Sequence, residues 1–185
     1  LLLSFYKNVH FYTHWKYLFP AMILALVIFV IWDVIFTANG IWSFNERYLI
    51  GLELLGLPLE EYLFFLTIPY ASLFTVYVLA AYFPQIGLNH KQTGIVTLLI
   101  IAFLGILAAI YLNRAYTAVN FIFTVLVLGL VYLTRREILS QFYFSYLVIL
   151  IPFGIINGIL TGSFIEDQVV WYNDNENLGF RLGTI

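Results

Sequence analysis

Three carboxylates stand where apolar runs of this chain meet polar ones: Asp33, Glu60 and Glu61. The first belongs to a stretch that reads Trp32-Asp33-Val34-Ile35-Phe36-Thr37, then Gly40-Ile41-Trp42-Ser43-Phe44-Asn45, then Gly51 and Leu57-Pro58-Leu59-Glu60-Glu61. A second stretch echoes it: Asn157-Gly158-Ile159-Leu160-Thr161, Val170-Trp171-Tyr172-Asn173, Gly179 and Thr184-Ile185. Asp33 and Thr37 match Asn157 and Thr161 at an offset of about 124, and Asn45, Gly51 and Leu57 match Asn173, Gly179 and Ile185 at about 128. A repeat of this kind predicts two related halves of one site. Carboxyls supply and remove protons, and aromatic faces stabilise cations. Acids, amides and aromatics together suit proton donation to an apolar substrate and proton removal from it.

Each of these residues also has a plainer reading. Asp33 lies inside an apolar span, where ionisable groups are costly and point to function, although it can also fix packing at the interface. Thr37, one turn on, shares its face. Glu60 and Glu61 follow Pro58, and Pro at the first helical position with Glu in the first turn is ordinary helix-start chemistry. Here, however, the pair opens a membrane span, and Phe64 and Phe65 follow each Glu at i+4. Gly154, Gly158 and Gly162 read as a small-residue packing seam, with Asn157 either as hydrogen-bonding glue or as the partner of Asp33 in the repeat. The segment Trp171-Tyr172-Asn173-Asp174-Asn175-Glu176-Asn177-Leu178-Gly179-Phe180-Arg181 echoes residues 42–53 and predicts a structured lid, in which Arg181 pairs with Glu176 or with an acid of the other half.

The elements that must hold these residues are membrane helices. The chain is 63% hydrophobic and 10% charged, with a mean hydropathy of +0.95. Soluble domains lie nearer ~45–50% apolar and ~25% charged. Five segments are long enough to cross a ~30 Å hydrocarbon core. They cover about 17–38, 58–83, 93–112, 116–134 and 141–164, joined by short links except at 39–57 and 165–184. The expected fold is an all-α polytopic transmembrane bundle with a parallel internal repeat. It is a single membrane domain over 1–185, with halves of roughly 1–92 and 114–185 joined by the helix 93–112. Leu1-Leu2-Leu3 reads as the tail of a further apolar stretch and Ile185 as an abrupt stop, so about seven spans are expected in a complete chain. Lys7, Lys16, Lys91, Arg135 and Arg136 fall on one side and Arg47, Arg114 and Arg181 on the other. The positive-inside rule then turns both long links outward, as in a multi-pass protein of a bacterial plasma membrane.

Other chemistries find no support. The net charge of -2 does not suggest nucleic acid, and the absence of cysteine excludes disulfides and thiolate chemistry. His10, His14 and His90 lie in polar segments near Lys and suit the interface better than a metal. No phosphate loop, dinucleotide fingerprint or nucleophile elbow is visible. No metal, flavin or nicotinamide cofactor is therefore expected.

Together these motifs resemble the lycopene cyclases that occur as two small membrane subunits or as one fused chain (the c/d type). The resemblance is carried by Trp32-Asp33, Phe36-Thr37, Gly40, Trp42, Asn45, Leu57-Pro58-Leu59-Glu60-Glu61, Phe64-Phe65 and Pro69. In the second half it is carried by Trp171-Tyr172-Asn173, Glu176-Asn177, Gly179 and Arg181. It covers essentially the whole chain, in the fused form. In the family, a second Pro-x-Glu-Asp motif follows an Ile like Ile185, and that part is not seen here. The resemblance implies cyclisation of the linear ends of lycopene, or a related linear carotenoid, to β-ionone rings. Glu60 or Glu61 would be the acid, and Asp33 or the other Glu the relay or base. Trp42, Phe64 and Phe65 would shield the cation. Asn45, Asn157, Trp171, Asn173, Glu176, Asn177 and Arg181 would orient the acids and substrate. A carotenoid hydratase on the same scaffold, and a non-enzymatic seven-helix carotenoid- or retinal-binding protein, are the competing readings. The sequence leaves homo-oligomerisation open.

Overall fold

The computed structural model describes residues 1–7 and 9–178. Five helices dominate: α1 (Trp15–Ala38), α2 (Leu59–Tyr82), α3 (His90–Ile110), α4 (Ala115–Thr134) and α5 (Arg136–Leu160). Four short strands are added, β1 (Trp42–Phe44), β2 (Glu53–Leu54), β3 (Leu57–Pro58) and β4 (Val170–Tyr172). Each helix is long and apolar enough to cross a membrane, and the chain is a multi-pass membrane protein. At 1.5 Å per residue, even the shortest, with 20 residues, spans about 30 Å.

The helix ends follow local chemistry. Asn89 opens α3 through a capping box, its side chain accepting from Gln92 N–H while the Gln92 side chain accepts from Asn89 N–H. That box starts the helix at His90, before the apolar run begins. α5 starts at Arg136 rather than near 141, and Arg135 alone separates it from α4. Residues 136–140, expected to belong to a link, extend the helix beyond its apolar run into the interface. Pro58 is not the first helical residue but precedes it. Its extended backbone (ψ 147°) completes β3, and Leu59 opens α2, with Glu60 and Glu61 in the first turn.

Lipid replaces water as the outer solvent, so large apolar side chains such as Leu133, Ile151 and Leu126 lie on the surface. The buried groups include small and polar ones, among them Thr93, Thr97, Thr117 and Ser145. Such residues let membrane helices approach closely. Thr97 bonds the Thr93 carbonyl at 2.7 Å and the Tyr143 hydroxyl at 2.6 Å, tying α3 to α5. The expected glycine seam on α5 is not continuous. Gly158 is buried, but Gly154 faces open space, and Gly162 lies beyond the helix with φ +108°. The spacing of four residues is real, but the helix ends before the third glycine.

α1 packs on α2, α2 on α5, and α5 on α4; α3 packs against α4 and α5. Phe123 of α4 closes the circuit by edge contacts with Phe29 and Trp32 of α1, at 5.8 and 5.4 Å between ring centres. α1, α2, α5 and α4 thus surround a cavity, and α3 lies outside it. β1 and β4 pair antiparallel across the end of the bundle where α1 and α5 finish.

Candidate active site

Asp33 sits in the last turns of α1 with 2% of its surface exposed. Thr37, one turn later on the same face, donates its hydroxyl to Asp33 Oδ1 at 3.2 Å. The helix stops at Ala38, and Gly40 adopts φ +65°, which favours glycine. This turn brings Trp42 of β1 back over the helix end. Its indole N–H donates to Asp33 Oδ1 at 2.7 Å and to Thr37 Oγ1 at 2.9 Å.

The pairing of β1 with β4 holds Trp42 there, with Cα partners Trp42–Tyr172, Ser43–Trp171 and Phe44–Val170. Beyond each strand an asparagine reaches into the other link. Asn45 N–H donates to the Val169 carbonyl and its amide to the Gln168 carbonyl, both at 2.9 Å. Asn173 N–H donates to the Ile41 carbonyl at 2.9 Å and its amide to the Gly40 carbonyl at 3.4 Å. Each side-chain oxygen also accepts the backbone N–H two residues on, from Arg47 and Asn175 respectively. These are local turns of the kind that Asn favours. Arg47 adds exposed ion pairs to Glu166 (2.6 Å) and Asp167 (3.4 Å). Such exposed, solvent-screened pairs contribute little, so the paired strands and the asparagine bonds provide most of the connection.

A tight hairpin delivers the other acids. Leu55 (φ +56°) and Gly56 (φ +77°) join β2 to β3, the pair of positive φ values that a two-residue hairpin turn prefers. The chain then enters α2. Glu60 Oε1 accepts the Ile50 N–H at 2.7 Å, while its Oε2 is buried without a hydrogen-bond partner. Glu61 faces the same cavity as Asp33.

That cavity measures about 670 Å³. Asp33, Trp42, Glu60 and Glu61 line one end. It continues between α2 and α5 past Phe64, Phe65 and Ile68 to Ser72 and Thr75, opposite Ile156, Phe153, Pro152 and Ile149. At 1.5 Å per residue, the run from Glu61 to Thr75 is about 21 Å long. Its walls are aromatic near the acids. Phe29 stacks on Phe65 at 6.0 Å, and Trp42, Tyr116 and Tyr172 meet edge to face at 5.7–6.2 Å.

Asp33, Glu60, Glu61, Trp42, Phe64, Phe65 and Asn157 all line this one cavity. Other expected orienting residues do different work. Asn45 and Asn173 pin the two links. Trp171 does not line the cavity and is 44% exposed, because successive strand residues alternate faces and its neighbours Val170 and Tyr172 take the inner one. Glu176 Oε2 accepts the Ala115 N–H at 2.6 Å, capping the start of α4, and the Asn177 carbonyl accepts from the Arg114 guanidinium. Those two residues anchor the second link to α4 and do not line the cavity. Arg181, and its expected pairing, lies outside the described residues.

Trp32, Tyr116, Asn120 and Tyr172 also line the cavity, although the sequence assigned them no role in the site. Asn120 had a signal, an amide within an apolar span. Tyr172 would have followed from the strand's alternation had β4 been foreseen. Among the described residues, no group of three or more His, Cys, Asp or Glu is arranged to hold a metal ion.

A family model described as lycopene cyclase matches residues 1–79 and 113–185, and the intervening part contains α3, the helix outside the cavity. No curated protein and no solved structure matches the chain.

Proposed function

We propose a reaction for this cavity on the premise that the chain belongs to the lycopene cyclase family, an enzyme family of carotenoid biosynthesis. The reaction is redox-neutral cyclisation of a linear carotenoid end to a β-ionone ring. One observation carries it: three carboxylates converge at one end of a long apolar cavity whose adjoining walls are aromatic. A cation formed there meets ring faces and carboxylates.

Glu60 or Glu61 protonates the terminal double bond, the next double bond attacks the resulting cation, and Asp33 removes a ring proton. Glu60 is held by the Ile50 N–H through one oxygen and keeps the other unpartnered, which suits a group that gives its proton to a substrate. The cavity's length of about 21 Å accommodates one end of a long polyene, so the two ends would react in turn. Production of β-ring pigment by the protein in lycopene-accumulating cells tests the reading, and unchanged lycopene at normal protein levels contradicts it.

The links also support a two-fold repeat. Val169 and Asn173 stand 128 positions after Ile41 and Asn45, so the two asparagine clamps are equivalent bonds in opposite directions. Equivalence predicts that Asn45→Ala and Asn173→Ala each lower stability by about 1–2 kcal/mol. Thermal unfolding in detergent checks this, and a loss confined to one variant would argue against the symmetry.

A further inference from the structure

We propose that Trp42 is a positioning residue that decides which oxygen of Asp33 takes the substrate's proton. The inference rests on the cyclisation reading and deepens it. The sequence suggested Trp42 as an aromatic shield, but the structure gives its N–H a separate role. Oδ1 of Asp33 accepts from the indole N–H at 2.7 Å and from the Thr37 hydroxyl at 3.2 Å, and no hydrogen bond to Oδ2 is formed among the described residues. A hydroxyl can reverse its hydrogen bond, but an indole N–H is a donor only. A proton on Oδ1 would therefore point at another hydrogen on the indole side, and on the Thr37 side it would need that hydroxyl to turn round, which Oδ2 does not require. Oδ2 is left as the proton acceptor on a carboxylate that lines the cavity.

The indole is not free to turn away. Its residue pairs with Tyr172 in the strand ladder, and its ring is packed against Phe36 (5.0 Å), Tyr116 (5.9 Å) and Tyr172 (6.2 Å). The donor therefore holds the carboxylate in one orientation relative to α2 and its two acids. In the closing step, the ring C–H proton passes to Oδ2 and the C–H electron pair becomes the ring double bond. No electrons leave the system. The proton then returns through solvent to the Glu60–Glu61 pair, which gave one up at the start. Because the cation can lose a proton from more than one carbon, the position of Oδ2 selects the ring isomer.

Trp42→Phe keeps an aromatic ring among Phe36, Tyr116 and Tyr172 and removes the donor together with part of the ring's volume. Product analysis with lycopene, at matched protein levels, should show kcat lowered about tenfold or more with KM within about twofold. The share of other ring isomers, or of product in which water captured the cation, should rise. Thr37→Val should move the product share in the same direction by less, and it carries the test if Trp42→Phe does not reach the membrane. An unchanged product share in the variant that does reach the membrane overturns the positioning role, even where total yield falls, because loss of packing alone scales all products together. If the unaltered protein forms no ring, the cyclisation reading fails first and this inference fails with it.

Discussion

Glu60→Gln and Glu61→Gln are each expected to lower ring formation by about a hundredfold or more, with the protein still in the membrane. A carboxamide keeps the size and polarity of the side chain but cannot deliver a proton at a useful rate. The two effects have different origins. Glu60 is fixed by the Ile50 N–H and has one buried, unpartnered oxygen, whereas Glu61 stands beside it at the mouth of the same cavity as Asp33. On the proposed reaction, one would supply the proton and the other would set its charge environment. Cyclic pigment per unit of membrane protein is the measurement. Unaltered yield from both variants would reduce the pair to ordinary first-turn residues of α2, where acids favour the helix N-terminus regardless of chemistry.

Filling the cavity far from the acids should be nearly as damaging. Ser72 lines it about 16 Å along α2 from Glu61, beyond Phe65 and Ile68. Ser72→Trp leaves every carboxylate and its hydrogen bonds in place but obstructs the apolar run that holds the rest of the polyene. Turnover should fall about a hundredfold, in keeping with the loss expected when a substrate's reacting end is displaced by an ångström or more. Unfolding temperature and membrane level should stay close to those of the unaltered protein, since the new side chain enters existing space. Normal turnover of Ser72→Trp would show that the substrate lies elsewhere.

Much of this arrangement was legible in the residues. Apolar runs of about 20 residues require spanning helices, because backbone groups in lipid must bond within the chain. Asp33 and Thr37 at i, i+4 had to share a face, and they are bonded. Pro58 ahead of Glu60 and Glu61 foretold acids in a first helical turn. What stayed hidden depended on contacts distant in sequence. β1 and β4 are three residues each, too short for an alternating pattern to stand out, and their pairing spans most of the chain. Without that pairing the sequence favoured Trp171 over Tyr172, although of the two Tyr172 lines the cavity. Glu176 looked like an orienting residue because nothing local reveals that the unsatisfied Ala115 N–H lies within its reach. The start of α5 at Arg136 was missed for a different reason: hydropathy marks where a helix enters lipid, not where its hydrogen bonds begin.

On the proposed reaction, carboxylates in this cavity move protons and no net electrons. Conversion of lycopene by the purified protein in deuterated water, without added cofactor, tests it most directly. Protonation by an exchangeable carboxyl places one solvent deuterium in each ring, while the proton removed comes from the substrate. The cyclic product should be heavier than lycopene by one mass unit per ring formed, with no change in oxygen content. A cyclic product without deuterium, or turnover that strictly requires added reduced flavin, would contradict it.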